Sequence, residues 1–290
     1  MAPSQATTDR SDQATQLREL VRRRPPSTLT LAITSGKGGV GKSNVAVNLS
    51  ILMAARRVRV MLADLDMGLA NADLLMNLQP RYTLAHVLAG VRSIEDICVD
   101  GPGGIRFVPG ASGTRGVADL SEFERQNLLV QLRRLRSNAD MVVFDCGAGV
   151  SRNVTTFAQA ADWVMVVTTP EPTAITDAYA TIKTLRRGQC AGRVSLFVNM
   201  AESRAEAKAA YRRVAGVAQK FLNYSVADGG YMLHDTAVER AVQARCPFVV
   251  RYPESNASAC IAAMANEMAR RFPTSQRRGG FLHRVAGLFV

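Results

Sequence analysis

From residue 35 to residue 43 the chain reads Ser-Gly-Lys-Gly-Gly-Val-Gly-Lys-Ser, a run suited to holding a phosphate chain. Gly36, Gly38, Gly39 and Gly41 carry no Cβ, so successive backbone N–H groups can point at one anion. A helix that starts directly after the turn adds its positive end, with Val40 and Asn44 completing the phosphate-binding segment. Lys42 supplies the charge that reaches the β- and γ-phosphates, and the Ser43 hydroxyl is a ligand for Mg²⁺. Two acidic segments follow apolar runs: Asp64-Leu65-Asp66, and Asp145 ahead of Cys146 and Gly147. Carboxylates at strand ends stand beside a phosphate site in open α/β sheets. His86, His234 and His283 have no mutual spacing that suggests a metal or catalytic set.

The elements needed to hold these groups are legible in the apolar pattern. Leu29 to Thr34 reads as a buried strand, and Asn44 to Ala55 carries Val45, Val47, Leu49, Leu52 and Met53 as a helix would. Further strands are expected at Val58 to Ala63, Ile105 to Val108, Met141 to Phe144, Trp163 to Thr169, Val194 to Val198 and near Ser225 to Leu233. Helices are expected from Asp119 to Arg136, after Pro172, from Thr236 to Ala244 and from about Ala257 to Arg271. Near-continuous apolar strands alternating with helices imply a three-layer αβα fold, a mostly parallel, doubly wound sheet covered on both faces.

With 290 residues, 47% of them hydrophobic, the chain can bury one substantial core. We divide it into an N-terminal arm (1–27), an α/β domain (28–272) and a C-terminal basic linker with a short amphipathic helix (273–290). No apolar stretch reaches bilayer length, and the polar N-terminus shows no secretory signal. Five scattered cysteines without a C-x-x-C pair fit reduced thiols in the cytoplasm. The net charge of +12, mostly from arginine clusters, favours anionic partners.

Lys37, near the start of the glycine-rich loop, is the mark of the deviant Walker A motif, and the segment resembles the MinD/ParA ATPases. In that family the corresponding lysine crosses to the partner subunit's nucleotide, which makes ATP the adhesive of a homodimer. The segments Asp64-Leu65-Asp66-Met67-Gly68-Leu69-Ala70-Asn71, Gly147 to Val154 and Thr168 to Tyr179 narrow the resemblance to the FlhG (FleN) family. These are slow switch ATPases that set flagellum number and placement.

The resemblance implies roles for single residues. Lys37 and Lys42 would act on the phosphates, and Asp66 would position the attacking water. Asp64 would support Mg²⁺ or its own loop, and Asp145 would act on the metal through water. Gly147 would sense the γ-phosphate, and Asn199 would read the adenine edge. The proline usual near the base-binding loop is absent from Met232 to Asp235.

Both ends of the chain add expectations. Ser11 can cap a short helix in which Ala14, Leu17 and Val21 share a face, ended by Pro25-Pro26. Its Asp12, Gln13, Ala14, Leu17 and Arg18 are similar to the motif by which this family stimulates an FlhF-type GTPase. At the other end Phe281, Leu282, Val285, Leu288 and Phe289 fall on one side of a helix, as in an interfacial anchor. The resemblance implies reversible, ATP-controlled attachment to the anionic inner face of the cell membrane. It also implies contacts with flagellar C-ring proteins and a flagellar transcription regulator. A ParA-type ATPase that partitions DNA would put the basic charge on nucleic acid instead, and an iron–sulfur ATPase would need paired cysteines at the dimer interface.

Overall fold

In chain order, β1 (Leu29–Ser35) passes through the glycine-rich loop into α1 (Lys42–Ala55) and on to β2 (Val60–Leu65). Two short helices, α2 (Ala72–Leu75) and α3 (Leu84–Leu88), lead to β3 (Val99–Asp100) and β4 (Arg106–Val108). Next come α4 (Glu122–Arg134), β5 (Met141–Ala148), α5 (Arg152–Gln159), β6 (Trp163–Thr168), α6 (Pro172–Arg187) and β7 (Arg193–Ala201). The last part holds α7 (Arg204–Leu222), β8 (Ala227–Leu233), α8 (Thr236–Gln243), α9 (Phe248–Arg251) and α10 (Asn256–Arg270). This computed structural model describes residues 28–111 and 120–270. The arm expected at 1–27 and the anchor expected at 273–290 lie outside the described residues.

The eight strands form one sheet in the order β3-β4-β2-β5-β1-β6-β7-β8. Every pairing is parallel except that of β3 with β4. Period-two alternation sends the side chains of each strand to opposite faces. Ala32, Val142, Phe144, Val164 and Val166 enter one apolar core with Leu128 and Leu132 of α4, Phe157 of α5, Ile182 of α6 and Val214 of α7. Leu31, Ile33, Met141, Val143, Met165 and Val167 enter the other, against Val45 and Leu49 of α1 and Ile261 and Met264 of α10. The expected doubly wound, three-layer architecture is therefore present, and β1 lies between strands that come much later in the sequence.

Boundaries move for local reasons. The helix expected over Asp119 to Arg136 is observed as Glu122–Arg134, opened by a capping box in which Ser121 and Glu124 exchange hydrogen bonds. The second strand begins two residues later than its apolar run, at Val60, because Arg57 turns the chain with a left-handed φ of 64°. The 19-residue α7 is absent from the sequence reading. Its buried stripe is Ala207, Ala210, Val214 and Ala218, too small and weakly apolar to stand out from an arginine- and lysine-rich surface.

Candidate nucleotide-binding site

The site lies at the carboxyl ends of β1, β2 and β5. Parallel register pairs Asp64 with Asp145 on neighbouring strands, and both point toward the face that α1 covers. The loop from Ser35 to Gly41 closes over that edge. Gly39 and Gly41 have φ values of 78° and 85°, the left-handed region where a Cβ is disfavoured. A Cβ on Gly41 would also collide with the Asn199 amide, and one on Gly36 with the backbone of Asp177 in α6. Ser35 Oγ donates to the Lys37 carbonyl at 2.7 Å, which fixes the start of the loop.

Below the loop the groups expected to act together are together. Lys42 is only 8% exposed, and Asp145 is 1% exposed with no hydrogen-bond partner on either carboxylate oxygen. Burial pushes the Asp145 carboxyl up to about 6, while the neighbouring Lys42 and Ser43 oppose that rise. A buried acid with both oxygens unpartnered, beside a lysine and a serine hydroxyl, fits a Mg²⁺ site that Ser43 and Asp145 would hold. When bound, that ion would neutralise charge on the phosphates. Lys42 adds a second, fixed positive charge that needs no rearrangement.

The two aspartates after β2 divide their roles. Asp64 accepts from the backbone N–H of Asp66 at 3.0 Å and from those of Asn71 and Ala72 at 3.1 Å each. Burial, followed by the charge of Asp145, raises its carboxyl well above the usual range in spite of those bonds. Its oxygens thus hold the loop that leads to α2, the second of the two roles expected for it. Asp66 is less buried, and its Oδ1 accepts from Gly68 and Leu69 N–H groups at 3.1 and 3.0 Å. A Cβ placed on Gly147 would stand 3.4 Å from that same oxygen, so Asp66 and the loop after β5 face each other across the site. The geometry sets a carboxylate opposite a backbone amide segment at the carboxyl edge that also carries the glycine-rich loop.

Lys37 behaves differently from Lys42. Its ammonium turns away from the loop and donates to Glu171 Oε1 and Oε2 at 2.8 and 3.0 Å and to Thr173 Oγ1 at 3.2 Å, with the side chain 39% exposed. The hydrogen bonds from Lys37 and Thr173, and then the Lys37 charge, hold the Glu171 carboxyl below its ordinary value. Sequence reasoning singled out the Pro170 to Tyr179 segment without assigning Glu171 this task, although it is the one acid at the head of α6. Asn199 is buried, donating from Nδ2 to the Val40 carbonyl at 2.8 Å and accepting from Met200 N–H at 2.9 Å. It clamps the glycine-rich loop from the β7 side. Asp235, in place of a proline-containing loop, caps two helices by accepting from Ala237 and Ala257 N–H groups.

A second unforeseen link joins α4 to α5. Arg125 is buried and donates to Asn153 Oδ1 at 3.1 Å, to Glu122 Oε2 at 2.7 Å and to the Leu120 carbonyl. It ties the helix following the Gly147 loop to the neighbouring helix. Cys146 is wholly buried, and burial pushes its thiol far above the usual range, which makes it an inert core residue.

Residues 28–196 match the family model described as an AAA domain. Among curated proteins, the chain is 40% identical over 238 residues to the antiactivator FleN of Pseudomonas aeruginosa, covering 82% of this chain and 85% of that one. It is 36% identical over 193 residues to the flagellum site-determining protein YlxH of Helicobacter pylori, covering 67% and 65%. Among solved structures, the septum site-determining protein MinD of Pyrococcus horikoshii, complexed with Mg-ADP, superposes with a TM-score of 0.71 at 24% identity, covering 83% of this chain and 96% of that one.

Proposed function

The chain belongs to this AAA-domain family and to its FleN-like, MinD/ParA-type ATPases, and on that premise we propose that it is an ATP-driven dimerising switch governing flagellum number and placement. ATP and Mg²⁺ are its cofactors. The observation that carries the switch reading is the divergence of its two loop lysines. Lys42 is sunk beside Asp145, while Lys37 stands at the rim, held outward by Glu171 and Thr173. A lysine so placed serves no phosphate of its own chain. It is available to the nucleotide of a second copy, where two anionic phosphate tails face each other and need cationic clamping from both sides.

In this reading Lys42, Ser43 and Asp145 hold Mg·ATP, Lys37 completes the partner's site, and Asp66 orients water for slow hydrolysis that resets the cycle. Asn199 reaches the adenine edge from its place against Val40. The ATP dimer attaches to the anionic inner face of the membrane through Phe281, Leu282, Val285, Leu288 and Phe289. Two weak anchors on one dimer gain avidity through effective concentration. The arm carrying Asp12, Gln13, Ala14, Leu17 and Arg18 stimulates an FlhF-type GTPase, and the outputs are contacts with C-ring proteins and a flagellar transcription regulator.

Light scattering with Mg·ATP tests the premise: Lys37→Ala should stay monomeric while binding nucleotide with a native melting profile. Dimerisation equal to that of the unaltered chain would refute the trans role. Removal of residues 1–25 should abolish GTPase stimulation and leave ATP binding unchanged; equal stimulation would refute the role of the arm.

A further inference from the structure

In a parallel sheet all helix-to-strand turns fall on the amino-terminal edge, opposite the phosphate site. Here those turns are basic: Arg57 and Arg59 follow α1, Arg133, Arg134 and Arg136 lie in or after the last turn of α4, and Arg186 and Arg187 end α6. Contacts show that the turns adjoin. Arg59 pairs with Asp140, whose carbonyl accepts from Leu29 N–H. Arg136 donates to the Thr28 carbonyl and pairs with Asp162. The carboxylates of Asp140 and Asp162 are thereby already partnered. Arg57, Arg133, Arg134, Arg186 and Arg187 remain exposed and, among the described residues, have no ion pair.

Favourable placement of cations at helix C-termini accounts for single arginines, but not for several unneutralised ones on one edge of a chain with a net charge of +12. The described chain also begins and ends here. Thr28 directly precedes β1, and Arg56 donates from the end of α1 to Asn266 and Ala262 in the last turns of α10, which puts Arg270 at the same edge. The 20 residues beyond it contain Arg271, Arg277 and Arg278, then the apolar run Phe281 to Val290.

We propose that this arginine-rich amino-terminal edge is itself a docking face for anionic lipid headgroups, a second membrane signal beside the C-terminal apolar segment. The inference rests on the membrane role assigned above to that segment. A short apolar anchor holds a protein to a bilayer only marginally, and a basic patch is the common second signal that makes attachment stable. A nucleic acid would also suit the arginines. The described chain ends at this edge and the sequence beyond it carries an apolar run, which favours a lipid surface because such a run has no use on a phosphodiester backbone. The edge lies opposite the nucleotide site, so this contact does not depend on ATP.

Co-sedimentation of the full chain with ADP separates the cases, using vesicles of phosphatidylcholine alone and of phosphatidylcholine with phosphatidylglycerol. One variant combines Arg57→Asn, Arg133→Gln, Arg134→Gln and Arg187→Gln, with asparagine chosen for the left-handed position of Arg57. The other, Val285→Asp with Leu288→Asp, disables the apolar segment. The arginine variant should lose roughly tenfold or more of its affinity for the anionic vesicles, keep its ATPase rate and melting temperature, and lose the salt sensitivity of binding. Undiminished binding to anionic vesicles by that variant overturns the proposal. So does a loss confined to duplex DNA, which would mark the face as a nucleic-acid site. If instead the Val285/Leu288 variant binds like the unaltered chain while the arginine variant fails, the anchor reading falls and the docking face stands.

Discussion

Asp145 shows how a single residue is tuned by what surrounds it. Its carboxyl is raised from 3.8 to about 6 because burial disfavours the charge more than the neighbouring Lys42 and Ser43 favour it. For an acid so shifted, the contribution to stability is complete below pH 3.8 and is lost as the pH rises through about 6. The change over that window is about 3 kcal/mol at most. Asp145→Asn should therefore raise the stability of the ligand-free chain at pH 7.5 by roughly 1–3 kcal/mol and flatten its stability between pH 4 and 7. Mg²⁺-dependent ATP hydrolysis should be lost, and a variant that melts earlier than the unaltered chain would contradict this account. Lys37 poses the opposite case, an exposed pair. Such pairs stabilise a fold little, so Glu171→Gln should scarcely move the melting temperature. Lys37 freed from its own chain should instead raise ATP-dependent self-association by roughly two- to fivefold, read by light scattering.

At the scale of elements, the strand-loop-helix unit is held by close approaches that tolerate no side chain. Gly41 combines a φ of 85° with contact to Asn199, so Gly41→Ala meets both backbone strain and a collision with a buried amide. It should lower stability by about 1–3 kcal/mol and abolish binding of a fluorescent ADP analogue. Gly38, with open space around its Cα, should accept alanine with a much smaller loss of stability. This loop was fully legible in sequence because its residue types answer to one function, and so were β1, β5 and β6, whose apolar runs are buried on both faces. What escaped has physical causes too. The helix α7 packs through alanines, β3 is a two-residue strand without a pattern, and the short α2, α3 and α9 have at most five residues each. The Lys37–Glu171 and Arg125–Asn153 contacts join residues 134 and 28 positions apart, a relation that no local pattern encodes.

The whole molecule is polarised. Asp64, Asp66, Asp145 and Glu171 gather at the carboxyl edge, and the arginine turns gather at the other. Lys37 is tied to Glu171 and Lys42 is sunk beside Asp145, so in the proposed dimer the attraction between two such edges would come from the ligand they enclose. In the proposed dimer Mg·ATP would provide it, with Lys37 from each side; Mg·ADP lacks the phosphate for which Lys37 would reach across. Mass action makes the difference measurable. A ligand that binds one chain stabilises it by an amount set by ligand concentration alone, whereas a ligand that creates a dimer adds a contribution that grows with protein concentration. In an Asp66→Asn background, where hydrolysis should be slow, the melting temperature with Mg·ATP should climb as protein is raised a hundredfold. With Mg·ADP it should stay flat. Adding Lys37→Ala should remove that climb and preserve the concentration-independent shift from nucleotide binding. Equal slopes for ATP and ADP would mean that the terminal phosphate does not join two chains.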